Sequence, residues 1–242
     1  MLQTPDEILR KIIDRSITEI SDNTITSISG YRFAGCKLLE NVTFGEVLTV
    51  GNYAFQNCIL LTDVTATAFP KVTSFGNYCF DNCTGLTSFH TASATKVNTF
   101  MFQACKALRT FVGRNVGALE NNAFYQCSGL TSIDVTSSGS WGTDVFRCTQ
   151  ETPKLNLIII RGNSIKSIGA NTFRDTRFKS GGAGGTIYIN KYLYDHLGDG
   201  TSLDYKAATI WSTIDGYGTI TWAQIEGSTY ETHYVDGTLI PT

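Results

Sequence analysis

The sequence predicts a repeat solenoid, a fold in which one short unit is stacked many times around a continuous core. Phenylalanines recur at separations of 22, 25, 22, 22, 22 and 27 residues, and the segments around them superimpose column by column. A period of about 20–50 residues is the sequence signature of a repeat architecture. The residues of this Phe column are Phe33, Phe55, Phe80, Phe102, Phe124, Phe146 and Phe173.

Three further columns keep the register of the phenylalanines. A large apolar residue lies five positions before each Phe; after the first five, cysteine follows at three positions and leucine at six. From the leucine onward, apolar and polar residues alternate as in a short strand. No single unit can bury its Phe, Cys and Leu alone. We therefore expect a leucine-rich-repeat solenoid of about seven turns over 25–189, a right-handed β/α-type coil with a parallel strand ladder.

The cysteine column is predicted to be structural. A small, usually buried side chain suits the tight inner corner of a coil, and its thiol can donate to a turn carbonyl. Zinc would need four converging ligands with short spacing, and stacked side chains point in parallel, which disfavours disulfides. We expect reduced thiols. Any exception would be Cys79, one residue before Phe80, or Cys148, one residue early in its turn. The column residues are Cys36, Cys58, Cys83, Cys105 and Cys127.

Both ends of the array depart from the repeat, as solenoid caps do. Residues 1–24 are predicted to form an N-terminal cap of a helix plus a strand, because Thr4 and Pro5 mark a helix start and apolar residues follow at helical spacing. A glycine-rich connection at 181–185 leads into a last strand at 186–189. Residues 190–242 are predicted to form a C-terminal α/β cap with helices at 190–197 and 204–211. A β-rich appendage with a hairpin turn at Asp236 and Gly237 follows.

The repeat unit shows a family resemblance. Residues 72–89, VTSFGNYCFDNCTGLTSF, and turn five at 116–133 resemble the BspA-like class of bacterial leucine-rich repeats. The resemblance implies a non-catalytic protein, since the family has no shared catalytic residue to carry over. It implies a surface or secreted protein that mediates adhesion or recognition. The alternative that it implies is a phage or prophage tail-associated structural or receptor-binding component.

Composition narrows the classes of function. The formal net charge of −2 disfavours nucleic-acid binding, because phosphate neutralisation needs clustered Lys and Arg. With no run of about 18 apolar residues we expect no membrane span, and no signal peptide is visible in the charged N-terminus. The three histidines, His90, His196 and His233, fall in different regions and in no catalytic or metal motif. We therefore expect no enzymatic activity, no cofactor and no metal.

Recognition is predicted on the outward side of the strand ladder, where repeat proteins bind their partners. With the column leucine as position one, side chains at positions three, five and seven face outward. Most are Thr and Ser, which suit any solvent-facing strand, but one mid-array patch combines a histidine, an aliphatic residue and an opposite-charge pair. The candidate binding residues are Asp63, Thr65, His90, Val112, Arg114 and Asp134.

The expected partner is a protein or glycan on a host, matrix or bacterial surface. The expected location is the cell surface, the secreted fraction or a virion. Because the candidate binding residues are predicted to be exposed, replacing His90, Arg114 and Asp134 together is expected to change stability little.

Overall fold

A computed structural model describes most of the repeat array and parts of the C-terminal region. The described residues are 5–136, 139–149, 154–161, 167–169, 171–172, 174–176, 185–189, 220–224, 233–235 and 238–240. Several predictions fall outside them: Phe173, the helices at 190–197 and 204–211, the glycine-rich residues 181–184, and the turn residues Asp236 and Gly237.

The centre of the fold is a parallel sheet of seven strands. Neighbouring strands pair at one-turn intervals, as Phe89 does with Phe111 and Phe111 with Ile133. A shorter parallel pair, β1 (Glu19–Ser21) and β3 (Asn41–Thr43), precedes this sheet. The predicted parallel strand ladder is therefore confirmed. In spatial order, the seven strands are β5 (Asp63–Val64), β7 (Ser88–Thr91), β9 (Thr110–Gly113), β11 (Ser132–Val135), β13 (Leu157–Ile160), β15 (Gly185–Ile189) and β16 (Ile220–Gln224).

Two-residue strands form a second ladder just before the Phe column. The first sheet of this ladder contains β2 (Ser27–Ile28), β4 (Thr49–Val50) and β6 (Ser74–Phe75), and the second contains β8 (Lys96–Val97), β10 (Ala118–Leu119), β12 (Ser140–Trp141) and β14 (Ser167–Ile168). In the first six strands of this ladder, the second residue is the predicted apolar column residue, and it is buried. The turns then approach closely: a Cβ at Gly76 would lie 2.3 Å from the backbone nitrogen of Asn52. Glycine is therefore required at that position.

Tight turns, instead of the helix expected in a β/α-type coil, connect the second ladder to the main sheet. Residues two positions before and two positions after each of the first five column phenylalanines have positive φ, as at Tyr53 (58°) and Asn57 (61°) around Phe55. A left-handed residue interrupts a right-handed helix. The turns are nevertheless connected along the array, because the backbone N–H of Phe55 donates to the carbonyl of Cys79 at 2.9 Å.

The column phenylalanines form one continuous stack through the core. From Phe33 to Phe146, successive ring centroids lie 5.1–5.7 Å apart with interplanar angles of 3–17°. All six rings are buried. A second set of rings packs against the stack edge-on, for example Phe89 against Phe102 at 4.8 Å. Six turns thus lie within the described residues, where the sequence predicts about seven.

Each column cysteine from the second onward lies beside the carbonyl of the Phe one turn earlier. These carbonyls also accept the backbone N–H of the cysteine in their own turn, as Phe55 does from Cys58 at 3.2 Å. The thiols that donate, at Sγ to oxygen distances of 2.9–3.2 Å, belong to Cys58, Cys83, Cys105 and Cys127. All seven cysteines fall within the described residues, all are buried, and none forms a disulfide. Cys79 and Cys148 are no exception.

The described parts of both predicted caps contain regular elements. Helix α1 (Pro5–Ile13) packs Ile12 into the core and leaves Ile13 exposed. Near the other end, β16 pairs in parallel with β15, so a strand assigned from the sequence to the appendage belongs to the main sheet. Strands β17 (His233–Val235) and β18 (Thr238–Ile240) pair antiparallel around the predicted hairpin turn. The domain boundaries after residues 24 and 189 stay predictions.

The longer interval between Phe55 and Phe80, 25 residues against the 22 of most intervals, is accommodated directly after β5 in residues 65–71. Phe69 in this loop is buried and stacks on Phe44 of the preceding turn at 5.6 Å. The backbone N–H of Phe44 donates to the carbonyl of Ala68 at 2.8 Å. The additional residues therefore leave the register of both ladders unchanged.

Candidate functional site

The outward side of the main sheet carries a pocket over its middle strands. In β9, Phe111 is buried in the core, whereas Thr110 and Val112 on either side of it are half-buried. This alternation is the ordinary consequence of the strand pleat, which sends successive side chains to opposite faces. The pocket has a volume of about 420 Å³ and lies across β7, β9, β11 and β13. We call it the strand-face pocket.

Two rows of register-matched residues cross the strand-face pocket. His90 pairs with Val112, Val112 with Asp134, and Asp134 with Ile159. The parallel row one pleat away contains Thr110, Ser132 and Leu157. All of these residues line the pocket, as does Arg114. The structure thus brings together four of the six predicted binding residues: His90, Val112, Arg114 and Asp134.

Asp134 is not the exposed residue that the sequence predicts. Only 4% of it is exposed, because a guanidinium from the next turn covers its carboxylate. Arg161 donates from Nε to Oδ1 at 2.6 Å and from Nη2 to Oδ2 at 2.5 Å. The prediction that Asp134 is exposed is therefore wrong. The small stability effect expected for the triple replacement depended on that exposure, and removing Asp134 would leave the cation of Arg161 buried.

Arg114 stands at the same carboxylate but closer to solvent. Its Nη1 lies 3.3 Å from Oδ2 of Asp134, and 28% of its side chain is exposed. Burial is the main cause that lowers the pKa of Arg114; Asp134 opposes this shift, and Arg161 adds to it by repulsion. The guanidinium stays charged at any physiological pH. Two guanidinium groups therefore share the carboxylate of Asp134.

His90 is half-buried and lies at the β7 end of its row, one strand beyond Val112. Burial first, and then the charge of Arg114, lower the pKa of His90 below its ordinary value of 6.5, while Asp63 and Asp134 oppose the shift. At neutral pH the imidazole is therefore uncharged, with one nitrogen as donor and the other as acceptor.

Asp63 and Thr65, the two other predicted binding residues, lie outside the strand-face pocket. Asp63 accepts hydrogen bonds from the hydroxyl groups of Thr87 (2.5 Å) and Ser88 (2.8 Å), which lower its pKa. Thr65 is exposed and shares a hydroxyl hydrogen bond of 2.8 Å with Thr67. The neighbour of Thr65, Ala66, lines the pocket. Asp63 and Thr65 therefore flank the site.

Three residues of this site were missed by the sequence analysis: Leu157, Ile159 and Arg161. The signal was the loss of alternation in residues 155–160, LNLIII. Because β13 is apolar at outward as well as inward positions, Leu157 and Ile159 add an aliphatic wall to a face that is elsewhere mostly Thr and Ser. Leu157 is half-buried, and only 2% of Ile159 is exposed.

The described residues contain no group of three His, Cys, Asp or Glu side chains that could hold a metal ion. His90 lies in β7, His233 lies in β17, and His196 is outside the described residues. Within the same described part of the chain, no helix is both long and apolar enough to cross a membrane.

Comparison with known proteins gives a match over most of the chain. Residues 13–131 and 92–196 match a family described as BspA type leucine rich repeat region, in 6 copies. A search of curated proteins finds no match.

Two solved structures are similar in fold. A leucine-rich repeat protein from Bacteroides ovatus ATCC 8483 shares 18% identity with a TM-score of 0.42, over 73% of this chain and 56% of that one. The Treponema pallidum leucine rich repeat protein shares 18% identity with a TM-score of 0.37, over 55% of this chain and 76% of that one. The chain thus spans 56% of the length of the Bacteroides protein.

Proposed function

Since this chain belongs to the BspA-type leucine-rich-repeat family, we propose that it is a non-catalytic recognition protein that binds its partner through the strand-face pocket. One observation carries the proposal. The row His90, Val112 and Asp134, together with Arg114, lines a pocket of about 420 Å³ in the middle of an otherwise Thr- and Ser-rich face. Concave sites that combine apolar walls with a few fixed polar groups are the usual form of a binding site.

The chemistry of the pocket supports binding over catalysis. Asp134 is the carboxylate that lines the pocket among the described residues, and both of its oxygens accept hydrogen bonds from Arg161. A general base must be able to accept a proton from a substrate within hydrogen-bond reach. A carboxylate held by a buried guanidinium is poorly suited to this task, whereas it is well suited to fixing the position of Arg114.

The partner that we propose is a protein or glycan on a host, matrix or bacterial surface, and the proposed location is the cell surface or the secreted fraction. The hydroxyl groups of Thr110 and Ser132 line the pocket beside the aliphatic side chains of Val112, Leu157 and Ile159. This mixture supports such a partner, because specific interfaces combine apolar contacts with polar ones.

Attachment to immobilised matrix proteins and mucin-type glycans tests the proposal. The labelled protein is compared with a double variant, Val112→Trp with Arg114→Gln, which fills the pocket and removes its exposed cation. We expect the double variant to lose about tenfold or more in apparent affinity, as central interface residues do. Arg109→Gln is the matched control, because Arg109 is exposed and lies outside the pocket. A double variant that melts like wild type and attaches equally well would contradict a pocket-based function.

Native mass distinguishes this proposal from the alternative, a phage or prophage tail component. We expect a monomer by light scattering for an adhesin or recognition module, whereas a stable trimer would favour the virion component.

A further inference from the structure

The strand-face pocket has one apolar side, and its composition restricts the ligand. Val112 on β9 and Leu157 and Ile159 on β13 are aliphatic side chains at outward positions, on the two strands that flank β11. Elsewhere on this face the same positions hold Asn41, Asp63, Thr43 and Thr65. An apolar group that covers these side chains removes apolar surface from water, and this burial stabilises the complex.

The other side of the pocket is cationic. The carboxylate of Asp134 is held at both oxygens by Arg161, and Nη1 of Arg114 lies 3.3 Å from its Oδ2. Arg114 is the more exposed of the two cations, with 28% of its side chain accessible against 6% for Arg161. Guanidinium groups bind carboxylates in a planar, two-bond geometry. A second carboxylate entering the pocket would therefore meet the guanidinium of Arg114 first.

His90 completes the rim without adding charge at neutral pH, because burial lowers its pKa. A neutral imidazole can donate one hydrogen bond to a carboxylate or accept one from an amide. Asp63, the other carboxylate that acts on His90, lies outside the pocket and has its oxygen engaged by Thr87 and Ser88. The rim thus keeps the cationic character that Arg114 gives it.

We propose that the strand-face pocket binds an aliphatic carboxylate, with a branched apolar group against Val112, Leu157 and Ile159 and the carboxylate on Arg114. The inference rests on the proposed function, since it names the chemistry recognised at the same site. Two sources share this chemistry: a free aliphatic acid, and the C-terminal residue of a peptide with an aliphatic side chain. A pocket of about 420 Å³ is large enough for either.

Titration with matched acid and amide pairs tests the chemistry. The probes are 4-methylpentanoate and 4-methylpentanamide, and N-acetyl-leucine and N-acetyl-leucinamide, followed by NMR shift changes in the full chain. For ligands of this size we expect dissociation constants on the order of 1 mM, with each acid bound about tenfold more tightly than its amide. The preference should weaken with added salt. Tighter binding of N-acetyl-leucine than of 4-methylpentanoate assigns the peptide terminus, and the reverse assigns the free acid.

Three variants identify the groups responsible. Arg114→Gln should remove the preference for acid over amide, Arg109→Gln should retain it, and Val112→Trp should abolish binding of both. Thermal melts show whether each variant is folded. Equal binding of acid and amide by wild type, a preference that survives in Arg114→Gln, or no binding of any probe would each overturn the ligand class. If attachment to immobilised partners still depended on Val112 and Arg114, recognition at this site would stand and the carboxylate chemistry alone would fail.

Discussion

Asp134 and Arg161 form an ion pair in which both carboxylate oxygens accept a hydrogen bond, and each side chain is only 6% exposed. Taking two charges out of water costs several kcal/mol, so such a pair adds little stability compared with two apolar side chains. Removing one partner is different, because the other charge then stays buried. The pair therefore ties β11 to the residue directly after β13 and holds the floor of the strand-face pocket in place.

We predict that Asp134→Ser destabilises the fold by about 3–5 kcal/mol in urea denaturation. The cause is the desolvated guanidinium of Arg161, so the double variant Asp134→Leu with Arg161→Met should recover most of the loss. Asp63→Ser, at an exposed carboxylate of the same sheet, is the control and should change stability by about 0.5 kcal/mol. A loss at position 134 as small as that at position 63 would show that the pair is hydrated.

The burial of Asp134 could not be predicted from its own repeat. The outward register that puts it beside Val112 follows from the period of two in a strand, and this part of the prediction depends only on local sequence. The guanidinium that covers its carboxylate belongs to Arg161, 27 residues later. In the two preceding turns the equivalent position holds Thr136 and Arg114. A repeat pattern predicts what recurs in every turn, and this contact occurs in one.

At the scale of the element, the stacked rings connect each turn to its neighbours. Phe102 stacks on Phe80 and Phe124 at 5.7 and 5.3 Å and meets Phe89 and Phe111 edge-on at 4.8 and 5.6 Å. Ring pairs of this geometry stabilise a core beyond the area that they bury. Aromatic rings of adjacent turns therefore pack on both sides of a middle turn, whereas they pack on only one side of the first turn.

We predict that Phe102→Ala lowers the free energy of unfolding by about 3–5 kcal/mol, through a large cavity in a close-packed core. Phe33→Ala should cost clearly less, because Phe33 contacts only Phe44 and Phe55 among the described aromatic rings. Chemical denaturation of both variants measures the difference. Equal losses would mean that the end of the array is packed as tightly as its middle.

The Phe, Cys and Leu columns were predictable because five turns repeat them with little change. The turns that replace a helix were not predictable, because the left-handed positions hold Tyr31, Asn57, Ala104 and Gln126 among others. Glycine is the residue that usually marks such a conformation, and among the described residues only Gly35 does so. Backbone hydrogen bonds to the adjacent turn hold these residues in a conformation that their side chains do not favour.

At the scale of the whole molecule, the buried thiols report the integrity of the array. Burial raises the pKa of the column thiols Cys58, Cys83, Cys105 and Cys127 and of Cys79. The thiolate is the reactive form of cysteine. A raised pKa therefore protects these sulfurs at neutral pH, in addition to the steric protection that the neighbouring turns provide.

We predict that Ellman's reagent reacts with few thiols of the native protein and with seven after denaturation in the absence of reductant. The seven buried cysteines set the upper number, and the missing native reaction follows from burial and raised pKa. The same titration after prior reduction is the control. Fewer than seven thiols in denaturant without reductant would reveal disulfides, and rapid native labelling would mean that the column is open to solvent.

The loop of residues 65–71 has a consequence for how proteins of this design can diversify. Phe69 anchors the loop in the core. Residues can therefore be inserted or deleted after β5 without shifting the strand register of either neighbouring turn. Surface loops tolerate such length changes at small entropic cost. Because Ala66 in this loop lines the strand-face pocket, each such event reshapes the wall of the pocket. Insertions and deletions in this loop can therefore change the specificity of the pocket while the two strand ladders stay the same.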